Sequence, residues 1–514
     1  MRTISELPDH VQAELRPGGN LTVISTAHVV GISGSPIAVE VHVEPGLPGF
    51  DIIGIPGDSC RETRDRVRAA IISSGFTFPN SRITVNFAPS GGLTCSGFDL
   101  AIAVGILTST EVVKSIDPQF AFIGELGLDG SIRPTVGALC AAAALDENVV
   151  LTSANDAEQI AELGHDRARG FQTLSDLVAH LNETELLPDA TKPRSRGAQT
   201  VGDVGDVGDI HGQPLAMLAL EIAAAGGHNL LYSGPTGAGK SALAKRIRDI
   251  LPPLSESDAL TVAMAHSAAG IHRSVTDRTA PFRAPYHAAT QATVIGGGTK
   301  SLRPGEITLA HRGVLFLDNL GEFTPSTLDA FRRPMKDGVI HIARARTVSV
   351  LPADFQLLAT MTPCPCGRGK DECACSTTAI QRHRRRISGP VFNGFDIRVH
   401  VPLVTASDSR DSIEPIATVR DRVLRARSMA VERGVRANVK LSPESIKALC
   451  PLDAPTRHLL ATHLSNGRLS GRGAQRVRLV ARTIADIAGR EGPPIVDDYE
   501  QAIALRVNVL GTPT

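Results

Sequence analysis

The octapeptide GPTGAGKS, Gly234 to Ser241, constrains the architecture of this chain more than any other stretch. It satisfies G-x-x-x-x-G-K-[ST], follows the apolar run NLLYS and opens the run SALAKRIRDIL, the strand-turn-helix context that a phosphate-binding loop requires. Gly234, Gly237 and Gly239 let backbone amides turn inward around phosphate oxygens, with Pro235, Thr236 and Ala238 completing the turn. Lys240 offers a point charge to the β- and γ-phosphates, and Ser241 offers a hydroxyl to magnesium. Such a loop predicts a parallel sheet covered by helices. The flanking sequence agrees, because from Ile210 to about Leu403 the short apolar runs NLLYS, GVLFLD and FQLLAT alternate with helical segments. GVLFLD ends in Asp318, a carboxylate at the end of a strand, where a second magnesium contact is needed. ATP and Mg2+ are therefore the expected ligands.

The chain has 514 residues, room for about three domains. Residues 1–21 read as a polar N-terminal extension. Residues 22–182 mix alternating runs (IAVEVHVE, SRITVNFA) with apolar helical ones (DLAIAVGIL, GALCAAAAL), which predicts a separate α/β domain. Residues 183–209, with two prolines and VGD three times over, read as a linker. After the core at 210–403, residues 404–514 lose their strands and carry arginine-studded amphipathic segments, predicting a helical domain.

Lys plus Arg and Asp plus Glu each total 53, a net charge of zero, but the balance is uneven along the chain. Residues 376–514 hold 22 basic and 13 acidic side chains. The run RHRRR, Arg382 to Arg386, and Arg420, Arg422, Arg425 and Arg427 at near-helical spacing would accept phosphate backbones, or would simply be solvated helix surface. The chain has no Trp and 3 Tyr, few instruments for base stacking, so any DNA binding is expected to be non-specific and salt-sensitive. The longest apolar run, Val136 to Leu145, is too short for a membrane helix, and MRTISELPDH is no secretory signal, so a cytoplasmic location without membrane partners is expected.

Four of the eight cysteines, Cys364, Cys366, Cys373 and Cys375, form C-x-C-x6-C-x-C. Four thiolates can close a tetrahedral structural zinc site, with free thiols and a redox role as the other readings. Cys60, Cys95, Cys140 and Cys450 are scattered and read as core residues.

From Thr22 onward the chain resembles the magnesium-chelatase-like AAA+ ATPases of the YifB/ComM family. The resemblance is carried by GLPGFDIIGIP and RVRAAIISSGF, by EIAAAGGHNLLYSGPTGAGKS, PFRAPYHAAT, RPGEITLAHRGVLFLD and TPCPCG, and by LSGRGAQRVRLVARTIAD. It implies a Lon-protease-like α/β domain, an AAA+ P-loop core with a parallel sheet, a C-terminal helical lid, and a homo-hexameric ring with ATP between subunits. It also implies DNA helicase activity in transformation and branch migration. GELGLDGSIRPTVGAL resembles the Lon segment that bears a catalytic lysine, but Leu139 stands there, so proteolysis is not expected.

The hydrolytic positions depart from the family. Asn319 replaces the glutamate that polarises water, and Glu322, three residues on, is the candidate substitute. Thr362 replaces the sensor asparagine, and Gly394 stands where the arginine finger belongs, with Arg398 a distant candidate. An amide cannot take the proton of the attacking water at neutral pH, and an arginine finger is worth roughly 10³ to 10⁵ in rate. Arg472, in LSGRG, matches the family's sensor-2 arginine. Three readings follow: a DNA-stimulated motor with impaired hydrolysis, a non-hydrolysing nucleotide-binding scaffold or regulator, or a metal-chelatase motor subunit. The last is disfavoured because those subunits lack the Lon-like domain.

Overall fold

The computed structural model describes residues 21–54, 57–89, 97–164, 167–184, 213–298, 302–344, 347–368, 373–387, 389–404 and 414–506. Most of the expected extension and linker, and Cys95, lie outside the described residues.

The first unit is a seven-stranded sheet. Its strands are β1 (Leu21–Val30), β2 (Ser33–Glu44), β3 (Gly49–Ile53), β4 (Arg82–Ala88), β5 (Phe120–Phe122), β6 (Val149–Ser153) and β7 (Ala168–Phe171), in the order β3-β4-β2-β1-β5-β6-β7. β1 begins at Leu21, one residue inside the expected extension. The two-residue alternation of β2 and β4 turns Ile37, Val39, Val41 and Val43, and Ile83, Val85 and Phe87, to one face. Helix α1 (Asp99–Ser109) fills that face and is buried along nearly its whole length. Its one charge, Asp99, is satisfied by Arg66, which donates from Nε at 2.7 Å and from Nη2 at 3.1 Å. Helix α2 (Ala138–Ala143) joins this unit to the next. Leu139 is fully buried, and the Cys140 thiol donates to the Met264 carbonyl at 3.2 Å. Burial pushes the Cys140 thiol up to about 12, so it is an inert core group.

The second unit starts with α3 (Pro214–Gly226), capped by Gly227 in the left-handed region, and β8 (Leu230–Ser233). There follow α4 (Lys240–Lys245), α5 (Glu256–Ala268), β9 (Phe282–Arg283), β10 (Val314–Leu317), α6 (Arg332–Asp337), β11 (Gln356–Met361), α7 (Thr377–Arg385) and β12 (Ile397–His400). The five strands run in the order β9-β10-β11-β8-β12, and each neighbouring pair is parallel. Every residue of β8, β10 and β11 is buried, as strands covered on both faces require.

The C-terminal helices include α8 (Ile416–Glu432) and α9 (Gly471–Ile487). Arg422 of α8 forks onto the buried Glu221 of α3 at 2.6 and 2.8 Å, and Arg427 donates to the Ala224 carbonyl. Two of the four arginines expected to offer a phosphate-facing stripe are thus turned inward to fasten the helices to the core. Arg420 and Arg425 remain exposed.

Candidate functional site

In open parallel sheets, ligands collect beyond the carboxyl ends of the strands where the strand order reverses. β8 occupies such a position, with β11 on one side and β12 on the other. Its carboxyl end runs directly into Gly234 to Ser241. Gly237 and Gly239 have φ of +84° and +78°, the left-handed conformation that lets successive amides face one concavity. A side-chain carbon at Gly239 would meet nothing within 4 Å, so the loop encloses open space. Lys240 is buried and its ammonium donates to the carbonyls of Gly234 at 2.9 Å and Pro235 at 2.6 Å. Burial pushes its pKa below the ordinary value, and Asp318 opposes that shift. A cation folded over its own loop is a stand-in geometry that phosphate oxygens would relieve.

Opposite the loop, Asp318 follows β10 directly. Ser241 Oγ donates to Asp318 Oδ1 at 2.7 Å, so the two oxygens expected to share magnesium lie side by side. Sequence reasoning missed a third member, Thr360 on β11. Its buried hydroxyl donates to Asp318 Oδ1 at 2.5 Å and accepts from the Asn319 amide at 2.9 Å. The parallel pairing of β10 with β11 creates this contact, which no local pattern announces. Donor set and open loop together fit a magnesium-bound nucleoside triphosphate.

Asn319 lies in the left-handed region at φ 54°, a conformation that Asn tolerates better than most residues with a side chain. The Glu322 amide donates to the Asn319 carbonyl, closing a short turn, and its carboxylate lies 3.3 Å from His287 Nδ1, an ion pair only when that imidazole is protonated. Thr362 lies just past β11, and its carbonyl accepts from His383 Nε2 at 3.0 Å.

Arg472 and Gly394 lie elsewhere. Arg472 is in the first turn of α9, which Ser470 caps, and Arg476 one turn on donates to the Gly394 carbonyl at 2.9 Å. Both positions line a cleft of about 1140 Å³ with Asn229, Arg332 and Arg333. Asn229 immediately precedes β8, so this cleft borders the amino end of the strand whose carboxyl end carries the P-loop, about 13 Å away at 3.3 Å per residue. Arg398 cannot serve as a finger from this chain: it is fully buried on β12, with its guanidinium 4.5 Å over the Phe392 ring.

The four clustered cysteines do converge. Their sulfurs all lie within 4.8 Å of one another, with Cys364 to Cys366 at 3.4 Å and Cys366 to Cys373 at 3.8 Å. A zinc-sulfur bond of about 2.3 Å sets tetrahedral sulfur-sulfur edges near 3.8 Å, so the cluster has the dimensions of such a site. Cys60, Cys140 and Cys450 are buried and scattered.

The sequence that builds this parallel sheet, the α/β unit before it and the helical unit after it matches families of the magnesium chelatase subunit ChlI in three stretches. Residues 206–409 match the magnesium chelatase subunit ChlI family, residues 39–155 the ChlI subunit of Mg-chelatase, and residues 414–506 the ChlI C-terminal family. This defines a magnesium-chelatase-like P-loop protein. Within that class the chain belongs to the YifB/ComM family. It is 38% identical over 484 residues to the uncharacterized protein YifB of Salmonella typhimurium, covering 91% of this chain and 94% of that one. It is 37% identical over 484 residues to the competence protein ComM of Haemophilus influenzae, covering 92% and 95%. The 67 kDa magnesium-chelatase subunit of Heliobacterium mobile is 28% identical over 183 residues, 30% of this chain and 27% of that one. Among the described residues no helix is long and apolar enough to cross a membrane.

Proposed function

We propose that this protein is an AAA+ ATP-binding ring component that acts on DNA and turns ATP over slowly. One observation carries the reading: Ser241 Oγ and Asp318 Oδ1 lie 2.7 Å apart beside the glycine loop, as a magnesium nucleotide would need, whereas the positions that would activate water and reach a neighbour's phosphate are occupied by Asn319 and Gly394. Gly234 to Ser241 would cradle the phosphates, Lys240 would swing from the Gly234 and Pro235 carbonyls onto them, and Ser241 and Asp318 would hold magnesium. Mg2+ supplies charge neutralisation to the phosphate oxygens when bound. Glu322 is a poor replacement base because it lies in the turn three residues beyond Asn319, with its carboxylate 3.3 Å from His287.

The remaining assignments rest on family membership. Residues 22–182 would be a Lon-like assembly or substrate-contact domain, 210–403 the AAA+ core and 404–514 a helical lid. The working form would be a cytoplasmic homo-hexamer in which Arg472, remote from its own P-loop, faces the nucleotide of the next subunit. Exposed Arg382, Arg385, Arg420 and Arg425 would meet DNA phosphates. The cysteine cluster would hold a structural zinc ion, since four protein ligands leave no open position for water.

The test is steady-state ATP hydrolysis and ATP binding, with and without forked DNA, in the wild type and Lys240→Ala. Tight binding lost in Lys240→Ala, with turnover far below about 1 s⁻¹, the lower end of ordinary enzymes, is the expected result. Brisk DNA-stimulated turnover abolished by Lys240→Ala would replace this reading by that of a competent motor. The scaffold reading is favoured instead if turnover is absent in every condition.

A further inference from the structure

The cysteine cluster is joined to the nucleotide loop by an unbroken set of hydrogen bonds. Gly367 lies one residue past Cys366, and its amide donates to the Cys364 carbonyl at 3.2 Å, folding the first C-x-C pair into a tight turn. Its own carbonyl accepts from the Thr236 amide at 2.7 Å, at the crest of the P-loop. The approach is close enough to demand glycine: φ is +70°, and a side-chain carbon at 367 would lie 2.3 Å from Thr236 Oγ1. The second C-x-C pair is fastened through a helix. Ser376, next to Cys375, caps α7 by accepting from the Ala379 amide at 3.2 Å. From α7, His383 donates to the Thr362 carbonyl, and its ring fills the space where a side chain on Gly321 would lie, 2.7 Å away. Arg386 donates to the Gly321 carbonyl at 3.2 Å.

The two cysteine pairs therefore end on three walls of the nucleotide site: the crest of the P-loop, the end of β11 and the turn after Asp318. A tetrahedral ion would tie the pairs into one rigid body, whereas without an ion four thiols at these distances have no covalent reason to stay together. We propose that metal loading of Cys364, Cys366, Cys373 and Cys375 sets the affinity of the P-loop for nucleotide, by way of the bond from the Thr236 amide to the Gly367 carbonyl. This rests on the reading that the loop binds ATP and the cluster zinc, and the experiment separates the three claims. The ion supplies no chemistry to the nucleotide. It holds the Gly367 carbonyl in place, and the loop crest is held by that carbonyl.

The full chain is purified without chelator, its zinc counted by elemental analysis, and its ATP affinity titrated before and after zinc is stripped and again after zinc is restored. Hydrogen exchange of the peptide spanning residues 230–245 is followed in the same states. One zinc per chain is expected. Stripping should weaken ATP binding about three- to tenfold, the equivalent of roughly one backbone hydrogen bond, and should speed exchange at Thr236, both reversibly. Gly367→Ala should keep its zinc yet bind ATP as weakly as the stripped protein, while Cys373→Ser with Cys375→Ser should lose both zinc and affinity. If those variants do not fold, the stripped and restored wild type carries the test alone. Unchanged ATP affinity and unchanged exchange on reversible loss of zinc would overturn the coupling. A chain without zinc would overturn the metal site, and a zinc-loaded chain that does not bind ATP would overturn the nucleotide reading itself.

Discussion

Among the described residues Arg398 is a buried charge whose guanidinium has no hydrogen-bond partner, and its replacement should strengthen the fold. It lies on β12 opposite Leu231 of β8, with none of its exposure left, and none of its three guanidinium nitrogens has a hydrogen-bond partner among the described residues. The nearby acid, Asp396, is already occupied by Arg476 and by the Asn229 amide. Burial first, then Arg506 and Arg476, push the Arg398 pKa down to about 9, with Asp396 opposing. Its one compensation is the stacking over Phe392. Exchanging a buried charge for a well-packed apolar residue of similar volume gains roughly 1–4 kcal/mol, and the lost stacking returns about 0.5–2 kcal/mol. Arg398→Met should therefore gain about 1–2 kcal/mol, which raises Tm by about 2–8 °C in a unit of this size. A cation whose folded-state pKa is depressed costs stability throughout the range below that pKa and recovers as pH rises through it. The advantage of Met should accordingly narrow above about pH 9. Scanning calorimetry of the full chain at pH 7.5 and 9.5 measures both effects, and turnover should not change because the side chain reaches no surface. A lower Tm at pH 7.5, or a loss of turnover, would show that the guanidinium has a partner in the working assembly and would refute the argument.

Three further outcomes are expected. Restoring Asn319→Glu and Gly394→Arg together should raise ATP turnover once the segment at 391–394 shifts, because a side-chain carbon at 394 would lie 2.8 Å from the Val391 carbonyl, whereas Met335 Cε, 2.5 Å away, can swing aside; unchanged turnover in a double variant that folds would clear these positions. Thr360→Val should leave the Asn319 amide unpaired at a cost of about 1–3 kcal/mol and weaken magnesium-ATP binding, while Thr360→Ser keeps both, as denaturant unfolding and ATP titration will record. Burial raises the Asp156 pKa to about 6, so its folded state favours the protonated form and stability falls as pH rises from about 4 through 6. Asp156→Asn, still able to accept from the Thr135 amide, should be about 1–3 kcal/mol more stable than wild type at pH 7.5 and equal to it near pH 4, measured by urea unfolding.

The P-loop was legible because everything it needs is consecutive: a strand, a glycine turn, a lysine, a hydroxyl and a helix within about a dozen residues. The alternation of β2 and β4, the apolar α1 and the four-cysteine spacing were legible for the same reason. Thr360 was not, since a threonine in FQLLAT acquires its role only when β11 pairs with β10 and places its hydroxyl under Asp318. Nor could spacing alone separate Arg422 and Arg427, which face inward, from Arg420 and Arg425, which do not. That depends on which side of α8 meets α3 and its buried Glu221.

By itself the sequence determined the phosphate-binding loop, the apolar strand that ends at Asp318 and the close spacing of the four cysteines. Those are properties of local pattern, and local pattern is set by backbone geometry within a few residues. Tertiary structure alone decided that Arg472 and Gly394 share a cleft at the far end of β8, that Arg398 is sealed in the core, and that the cysteine turn holds the crest of the P-loop. Each of these joins segments from 6 to more than 100 residues apart, and such contacts arise when strand order and helix packing bring distant backbone together.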